Sequence, residues 1–178
     1  MNFRLRAFHV PDGTLPFTVT GTVGRRGNTF SICYVLRGAL EGLIIPAMRN
    51  KRLRERELWN GTCCEFFLAI EGSPQYWEFN LSPSGSWNVY CFEGYRQGMR
   101  EDESFGSLPF SVRRGADSLA LSLTVDFSTV IRPDRTVELA VSAVMQQRDG
   151  MLTYWALVHP CPQPDFHRRE SFAIRLQA

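Results

Sequence analysis

Residues 63–92 read CCEFFLAIEGSPQYWEFNLSPSGSWNVYCF, which is three runs of strand-forming residues separated by two turn-forming segments. The runs span 63–70, 75–81 and 87–92, and aromatic and aliphatic side chains dominate each of them. The segments Glu71–Pro74 and Ser82–Ser86 contain the Gly, Pro and Ser residues that favour turns. The stretch therefore predicts two successive β-hairpins that form a three-stranded antiparallel sheet.

The lengths of the two turns predict the register of these strands. Counting outward from a four-residue turn gives the first set of pairs, which are Ala69 with Tyr76, Phe67 with Glu78, and Glu65 with Asn80. Counting from the five-residue second turn gives another set, which are Leu81 with Trp87, Phe79 with Val89, and Glu78 with Tyr90. Both counts assign the same residues to the same face of the sheet.

One face of this predicted sheet is entirely apolar. Its residues are Cys64, Phe66, Leu68, Ile70, Trp77, Phe79, Leu81, Trp87, Val89 and Cys91. An apolar face of this size has to be removed from water, and a second sheet is the usual cover in an all-β protein. We therefore expect a two-layer packing with this face in the core.

The opposite face mixes aromatic rings, carboxylates and carboxamides. Its residues are Cys63, Glu65, Phe67, Tyr76, Glu78, Asn80, Asn88, Tyr90 and Phe92. Aromatic rings stack on the apolar faces of sugars, while carboxylates and amides hydrogen-bond hydroxyl groups in fixed directions. This composition predicts a ligand-binding face; the alternative is the solvated side of an ordinary antiparallel sheet.

Five further segments of the chain show the alternation of a β-strand. They are 18–23, 29–36, 118–127, 136–146 and 153–158, and with the three strands above they make eight. No internal repeat or linker divides the chain, so residues 1–178 are predicted to form a single domain. The predicted fold class is an all-β, antiparallel two-sheet β-sandwich.

Charge and hydropathy exclude several kinds of partner. The 20 basic residues are nearly balanced by 18 acidic ones, which is too even for the positive surface that nucleic acid requires. No segment approaches the roughly 18 apolar residues that span a membrane. The N-terminal residues lack the apolar run and cleavage site of a signal peptide, so we expect a cytoplasmic location.

Several motifs resemble the bacterial DOMON-like domains. They are LWNGTCCEFFL at 58–68, YWEFNLSPSGSW at 76–87, GYRQGM at 94–99, YWALVHP at 154–160, PDFH at 164–167, and Ser171-Phe172. The resemblance implies a β-sandwich related to family-nine carbohydrate-binding modules and to haem- or sugar-binding DOMON domains. It also implies ligand binding without catalysis.

These observations predict a non-catalytic module that binds a carbohydrate or a similar polyhydroxylated small molecule. The predicted ligand-binding residues are Glu65, Tyr76, Glu78, Asn80, Tyr90 and Phe92, with Tyr95 and Arg96 at the rim. An Arg at the rim grips a carboxylate or a pair of hydroxyls. The alternative is a structural or interaction module that docks a partner protein or a second copy of the chain.

Catalysis, metal binding and haem binding are weaker alternatives. Glu65 and Glu78 on neighbouring strands resemble the paired carboxylates of a glycosidase. His159, Asp165 and His167 are candidate metal ligands, but their spacing matches no metal motif, and three prolines nearby favour an extended strap with a hydrogen-bonded turn. No Cys-x-x-Cys-His motif marks a haem site, so no cofactor is predicted.

The charged segment 49–57, RNKRLRERE, contains good helix formers but almost no apolar face. It is predicted to be a solvated turn, short helix or loop, with a basic anion-binding loop as the functional alternative.

Overall fold

The computed structural model describes residues 1–9 and 15–177. The strands are β1 (Asn2–Arg4), β2 (Arg6–Ala7), β3 (Phe17–Arg26), β4 (Thr29–Gly38), β5 (Cys63–Ile70), β6 (Tyr76–Leu81), β7 (Trp87–Phe92), β8 (Arg100–Glu101), β9 (Ser111–Arg114), β10 (Ser118–Asp126), β11 (Val137–Gln146), β12 (Leu152–Ala156) and β13 (Ile174–Leu176). Short 3-10 helices span Leu40–Gly42, Leu58–Asn60 and Arg169–Ser171. None of the helices in the described ranges is long and apolar enough to cross a membrane.

The strands form two antiparallel sheets. The five-stranded sheet has the order β1-β3-β4-β10-β9, and the eight-stranded sheet has the order β2-β12-β11-β5-β6-β7-β8, with β13 also paired to β11. The predicted antiparallel two-sheet β-sandwich is confirmed. All eight predicted strands form, and the additional strands are two to four residues long, which is too short for an alternating pattern to show.

The predicted register of the central hairpins is confirmed. Phe67 pairs with Glu78 and Glu65 pairs with Asn80 between β5 and β6, and Glu78 pairs with Tyr90 between β6 and β7. Because side chains alternate along a strand, this register fixes which residues face the second sheet.

Aromatic rings fill the space between the two sheets. Phe66 of β5 and Phe79 of β6 stack with their ring centroids 4.4 Å apart, and Phe30 of the opposite sheet lies 5.1 Å from Phe66. Phe127 contacts both Phe30 and Phe79. Such close packing of large rings supplies much of the burial that stabilises a sandwich.

The other face of strands β5, β6 and β7 is also buried, so the alternative of a solvated face is wrong for these three strands. Every residue of β6 and β7 is buried, and Ile70 is the one residue of β5 that is partly exposed. The cover comes from residues 157–173, named here the C-terminal strap, together with Trp59 and Tyr154. The result is a second apolar cluster on the side away from the sandwich core.

The charged segment 49–57 is irregular and connects parts of the fold through Arg54. The Arg54 guanidinium lies over the Trp87 ring at 4.5 Å and donates hydrogen bonds to the backbone carbonyls of Asp102 and Phe105. Arg49 pairs with Glu55 within the segment. Arg54 is therefore held by contacts within the protein, and Arg56 pairs with Glu101 at 2.8 Å, so these contacts favour the prediction of a structural loop over that of an anion-binding loop.

Candidate functional site

A cavity of about 350 Å³ lies between the second face of the eight-stranded sheet and the C-terminal strap. Its polar lining residues are Asn60, Glu65, Glu78, Arg96 and His167. Its apolar and aromatic lining residues are Trp59, Phe67, Phe92, Met99, Val144, Leu152, Tyr154, Pro164 and Phe166. The volume lies at the lower end of the range for small-molecule sites.

Strands β5 and β6 place the two carboxylates in the cavity. Glu65 and Glu78 are only 2% and 4% exposed, and the alternation that sends Phe66 and Phe79 into the core sends both carboxylates to the other side. Phe67 pairs with Glu78 across the two strands, so its ring lines the same cavity. Two acids and an aromatic ring thus meet at the centre of a rigid sheet.

The C-terminal strap is held against the loop at 93–99 by one carboxylate. Asp165 accepts hydrogen bonds from the Tyr95 hydroxyl at 2.6 Å, from the Arg96 guanidinium at 3.0 Å, and from the His167 backbone N–H at 3.1 Å. The last of these is the predicted hydrogen-bonded turn in the strap. It orients His167 toward the cavity.

A chain of hydrogen bonds connects the 93–99 loop to the imidazole ring. The Arg96 backbone N–H donates to the Tyr76 hydroxyl at 3.2 Å, and that hydroxyl lies 2.9 Å from His167 Nδ1. Because the hydroxyl accepts from the Arg96 N–H, its own proton is available to Nδ1, and we infer that the ring proton is on Nε2, 3.9 Å from Glu78 Oε2. Arg96 has a left-handed backbone, with φ of 53°.

Burial decides the protonation of the ionisable groups in the cavity. It raises the pKa of Glu78 to about 7, although a hydrogen bond from Asn80 and the charge of Arg96 act in the opposite direction. Burial also raises the pKa of Glu65 well above its usual range, and the charge of Glu78 adds to that effect. The pKa of His167 falls to about 4, mainly through burial. Near neutral pH, His167 is therefore uncharged.

One oxygen of a carboxyl group that lines this cavity has no donor among the described residues. Glu65 Oε1 is buried and accepts no hydrogen bond from the residues that the structure describes, whereas Glu78 Oε1 accepts one from the Asn80 amide at 2.8 Å. A buried oxygen without a donor is costly, and such atoms are uncommon in folded proteins.

Two solved structures are similar to this chain over nearly its whole length. One is a proposed carbohydrate-binding protein from Bacteroides uniformis, with a TM-score of 0.69 and 15% identity, covering 97% of this chain and 85% of that one. The other is a family-9 carbohydrate-binding module from Caldicellulosiruptor kristjanssonii in complex with cellotriose, with a TM-score of 0.55 and 7% identity, covering 97% and 80%. The chain has the β-sandwich fold of a family-9 carbohydrate-binding module.

Sequence comparison adds no closer assignment. No protein-family model matches the chain, and no curated protein matches it in sequence. At these low identities the similarity concerns the fold alone. The relationship to DOMON-like domains therefore stays a prediction.

The eight predicted ligand-binding residues occupy three positions relative to the cavity. Glu65, Glu78, Phe92 and Arg96 line it. Behind them, Asn80 hydrogen-bonds Glu78, Tyr76 hydrogen-bonds His167, and Tyr90 packs against the ring of Trp59. Tyr95 is 46% exposed and contacts Asp165 outside the cavity.

Several lining residues were not predicted from the sequence. Trp59, Tyr154 and Phe166 supply aromatic walls, yet each lies outside the hairpins whose register revealed the site. Trp59 lies half-buried at the cavity. An aromatic residue in an irregular segment carries no periodic signal that could have indicated this position.

The three candidate metal ligands are not brought together. His159 Nε2 contacts the backbone carbonyl of Arg6, Asp165 is engaged with Tyr95 and Arg96, and His167 faces Tyr76. Across residues 1–9 and 15–177, no group of three or more His, Cys, Asp or Glu side chains is close enough to hold a metal ion.

Proposed function

We propose that the cavity binds a carbohydrate or a similar polyhydroxylated small molecule without chemically changing it. The observation that carries this proposal is the pair of buried carboxyl groups of Glu65 and Glu78 that line the cavity. Among the described residues, Glu65 Oε1 has no hydrogen-bond donor, and Glu78 accepts one hydrogen bond, from Asn80. The hydroxyl groups of a ligand in the cavity would hydrogen-bond to these two carboxyl groups, which the protein leaves short of partners.

The surrounding residues suit the same ligand class. Glu78 offers a second carboxylate, and Trp59, Phe67 and Phe92 offer rings for the C–H faces of a sugar. The volume of about 350 Å³ favours one sugar ring or one end of a chain over an extended polymer. The fold is shared with a module that binds cellotriose, which supports the proposal without identifying the ligand.

Titration calorimetry against a panel of soluble sugars and polyols tests this proposal. Glucose, galactose, xylose, cellotriose and sorbitol cover ring, chain and open forms. We expect heat from at least one of them with the unchanged protein and with Glu103→Ala, an exposed control. We expect that heat to disappear in Glu78→Ala. The proposal fails if no member of the panel gives heat or raises the melting temperature.

A glycosidase-like reaction is the second candidate, because two carboxylates with raised pKa line one cavity. In such enzymes one carboxyl group donates a proton to the leaving oxygen, and the other acts as nucleophile or base. Release of nitrophenol from aryl glycosides, lost in both Glu65→Gln and Glu78→Gln, would support this reaction. No release above buffer with any glycoside would exclude it for those substrates.

A further inference from the structure

The acidic side chains of the cavity have no free cation among the other described residues that line it. The ionisable groups that line it are Glu65 on β5, Glu78 on β6, Arg96 in the 93–99 loop and His167 on the C-terminal strap. Arg96 is paired with Asp165 at 3.0 Å, and burial lowers the pKa of His167 to about 4. Neither group therefore offers a free positive charge to the two carboxylates at neutral pH.

The two carboxylates also have few hydrogen-bond donors. Asn80 donates to Glu78 Oε1, His167 Nε2 lies 3.9 Å from Glu78 Oε2, and Glu65 Oε1 has no donor among the described residues. A carboxylate prefers a charged N–H donor, since such hydrogen bonds are roughly twice as strong as neutral ones. A ligand that brings both N–H groups and positive charge would satisfy this site best.

The walls of the cavity favour the same kind of ligand. Trp59, Phe67, Phe92, Tyr154 and Phe166 line it with their side chains. The faces of aromatic rings attract cations, and the attraction grows when water is excluded. Acidic groups surrounded by several aromatic side chains stabilise an ammonium ion.

We propose that the ligand of this cavity is a sugar or polyol that carries a protonated primary amine, with the ammonium group donating hydrogen bonds to Glu65 and Glu78. This inference rests on the proposed function and narrows it to amino sugars and related amino polyols. A quaternary ammonium ion is excluded, because it has no N–H to donate to either carboxyl group.

Binding of a cation couples to the ionisation of these carboxyl groups. In the empty cavity, burial favours the protonated form of both groups, and the charge of Glu78 adds to that effect at Glu65. When an ammonium ion enters, the carboxyl groups ionise, and their protons pass to the buffer. A neutral sugar brings no positive charge that would favour ionisation of the two carboxyl groups, so it should bind with little proton release.

Calorimetry with three matched sugars tests the inference at pH 7. Glucosamine carries the amine, N-acetylglucosamine carries the nitrogen without its charge, and glucose carries a hydroxyl in its place. We expect glucosamine to bind about tenfold or more tightly than either neutral sugar. Titrations in phosphate and in Tris should differ in heat for glucosamine, as required for proton release.

Three variants assign the effect to the carboxylates. Glu65→Gln and Glu78→Gln keep the shape of each side chain and should remove the preference for glucosamine and its proton release. Exposed Glu103→Gln should retain both. A melting curve for each variant verifies that it is folded.

The outcomes separate this inference from the proposed function. Equal affinity for glucosamine and glucose would overturn the inference and leave the proposed sugar binding supported. Failure of all three sugars together with the wider sugar panel would overturn both. A glucosamine preference that survives in the double variant of Glu65 and Glu78 would overturn the assignment to these residues.

Discussion

Replacing Glu78 with Gln should change how the stability of the empty protein depends on pH. Glu78 is 4% exposed, and burial raises the pKa of its carboxyl from 4.5 to about 7. Folding therefore favours the protonated form of Glu78. Its contribution to the free energy of unfolding is fully present below pH 4.5 and is lost as pH rises through 7. Gln resembles the protonated form at every pH.

The size of the effect follows from the two pKa values. The difference between 4.5 and about 7 corresponds to about 3 kcal/mol of unfolding free energy well above pH 7. In a domain of this length, that is a rise in melting temperature of about 6–12 °C for Glu78→Gln over the unchanged protein. Near pH 4.5 the two proteins should have nearly equal stability.

Thermal or urea unfolding between pH 4.5 and 8.5, in the absence of sugars, measures this difference. Exposed Glu103→Gln serves as the control, and its curve should follow the unchanged protein throughout. His167 gives the free energy of unfolding a pH dependence of the opposite sign, because its pKa is lowered in the folded protein. Its contribution is fully present above pH 6.5 and is lost as pH falls toward 4. Parallel curves for Glu78→Gln and the unchanged protein would refute the reasoning from burial.

Three further substitutions test the core, the strap and the hydrogen-bond chain. Phe66→Ala removes a ring that is fully buried between the sheets, so urea unfolding should show a loss of about 3–5 kcal/mol. Asp165→Ala removes the acceptor shared by Tyr95, Arg96 and the His167 N–H, which should lower the free energy of unfolding by roughly 1–3 kcal/mol. Limited proteolysis should then cut residues 157–173 faster than it does in the exposed control Asp117→Ala. Tyr76→Phe removes the hydroxyl that contacts His167 Nδ1. The nitrogen chemical shifts of His167 should therefore show only the Nε2–H tautomer in the unchanged protein and both neutral tautomers in the variant. An unchanged spectrum would contradict the proposed proton positions.

The sandwich and the two carboxylates could be predicted because both follow from local alternation. In β5, β6 and β7 the turn lengths determine the register, and the register determines which side of the sheet Glu65 and Glu78 occupy. No information from distant parts of the chain is needed for either step.

The enclosure of the site could not be predicted, because it depends on contacts between distant residues. Tyr76 and His167 are 91 residues apart in the sequence, and the C-terminal strap has no periodic pattern that assigns it to a face of the sheet. Without that cover, Phe67, Tyr76 and Phe92 suggest a binding surface rather than the wall of a cavity. The short strands β2, β8 and β13 were missed because two or three residues show no alternation.

The attachment of the C-terminal strap through Asp165 should affect the rates at which a ligand binds to the cavity and dissociates from it. The carboxylate that anchors the strap also anchors Arg96, so the two sides of the entrance are joined by the same group. A molecule in the cavity would lie beside Phe166 and His167, which both belong to the strap, so movement of the strap would change access to the site. The residence time of a bound ligand should then depend on Asp165, which anchors the C-terminal strap, as well as on the contacts of the ligand with Glu65.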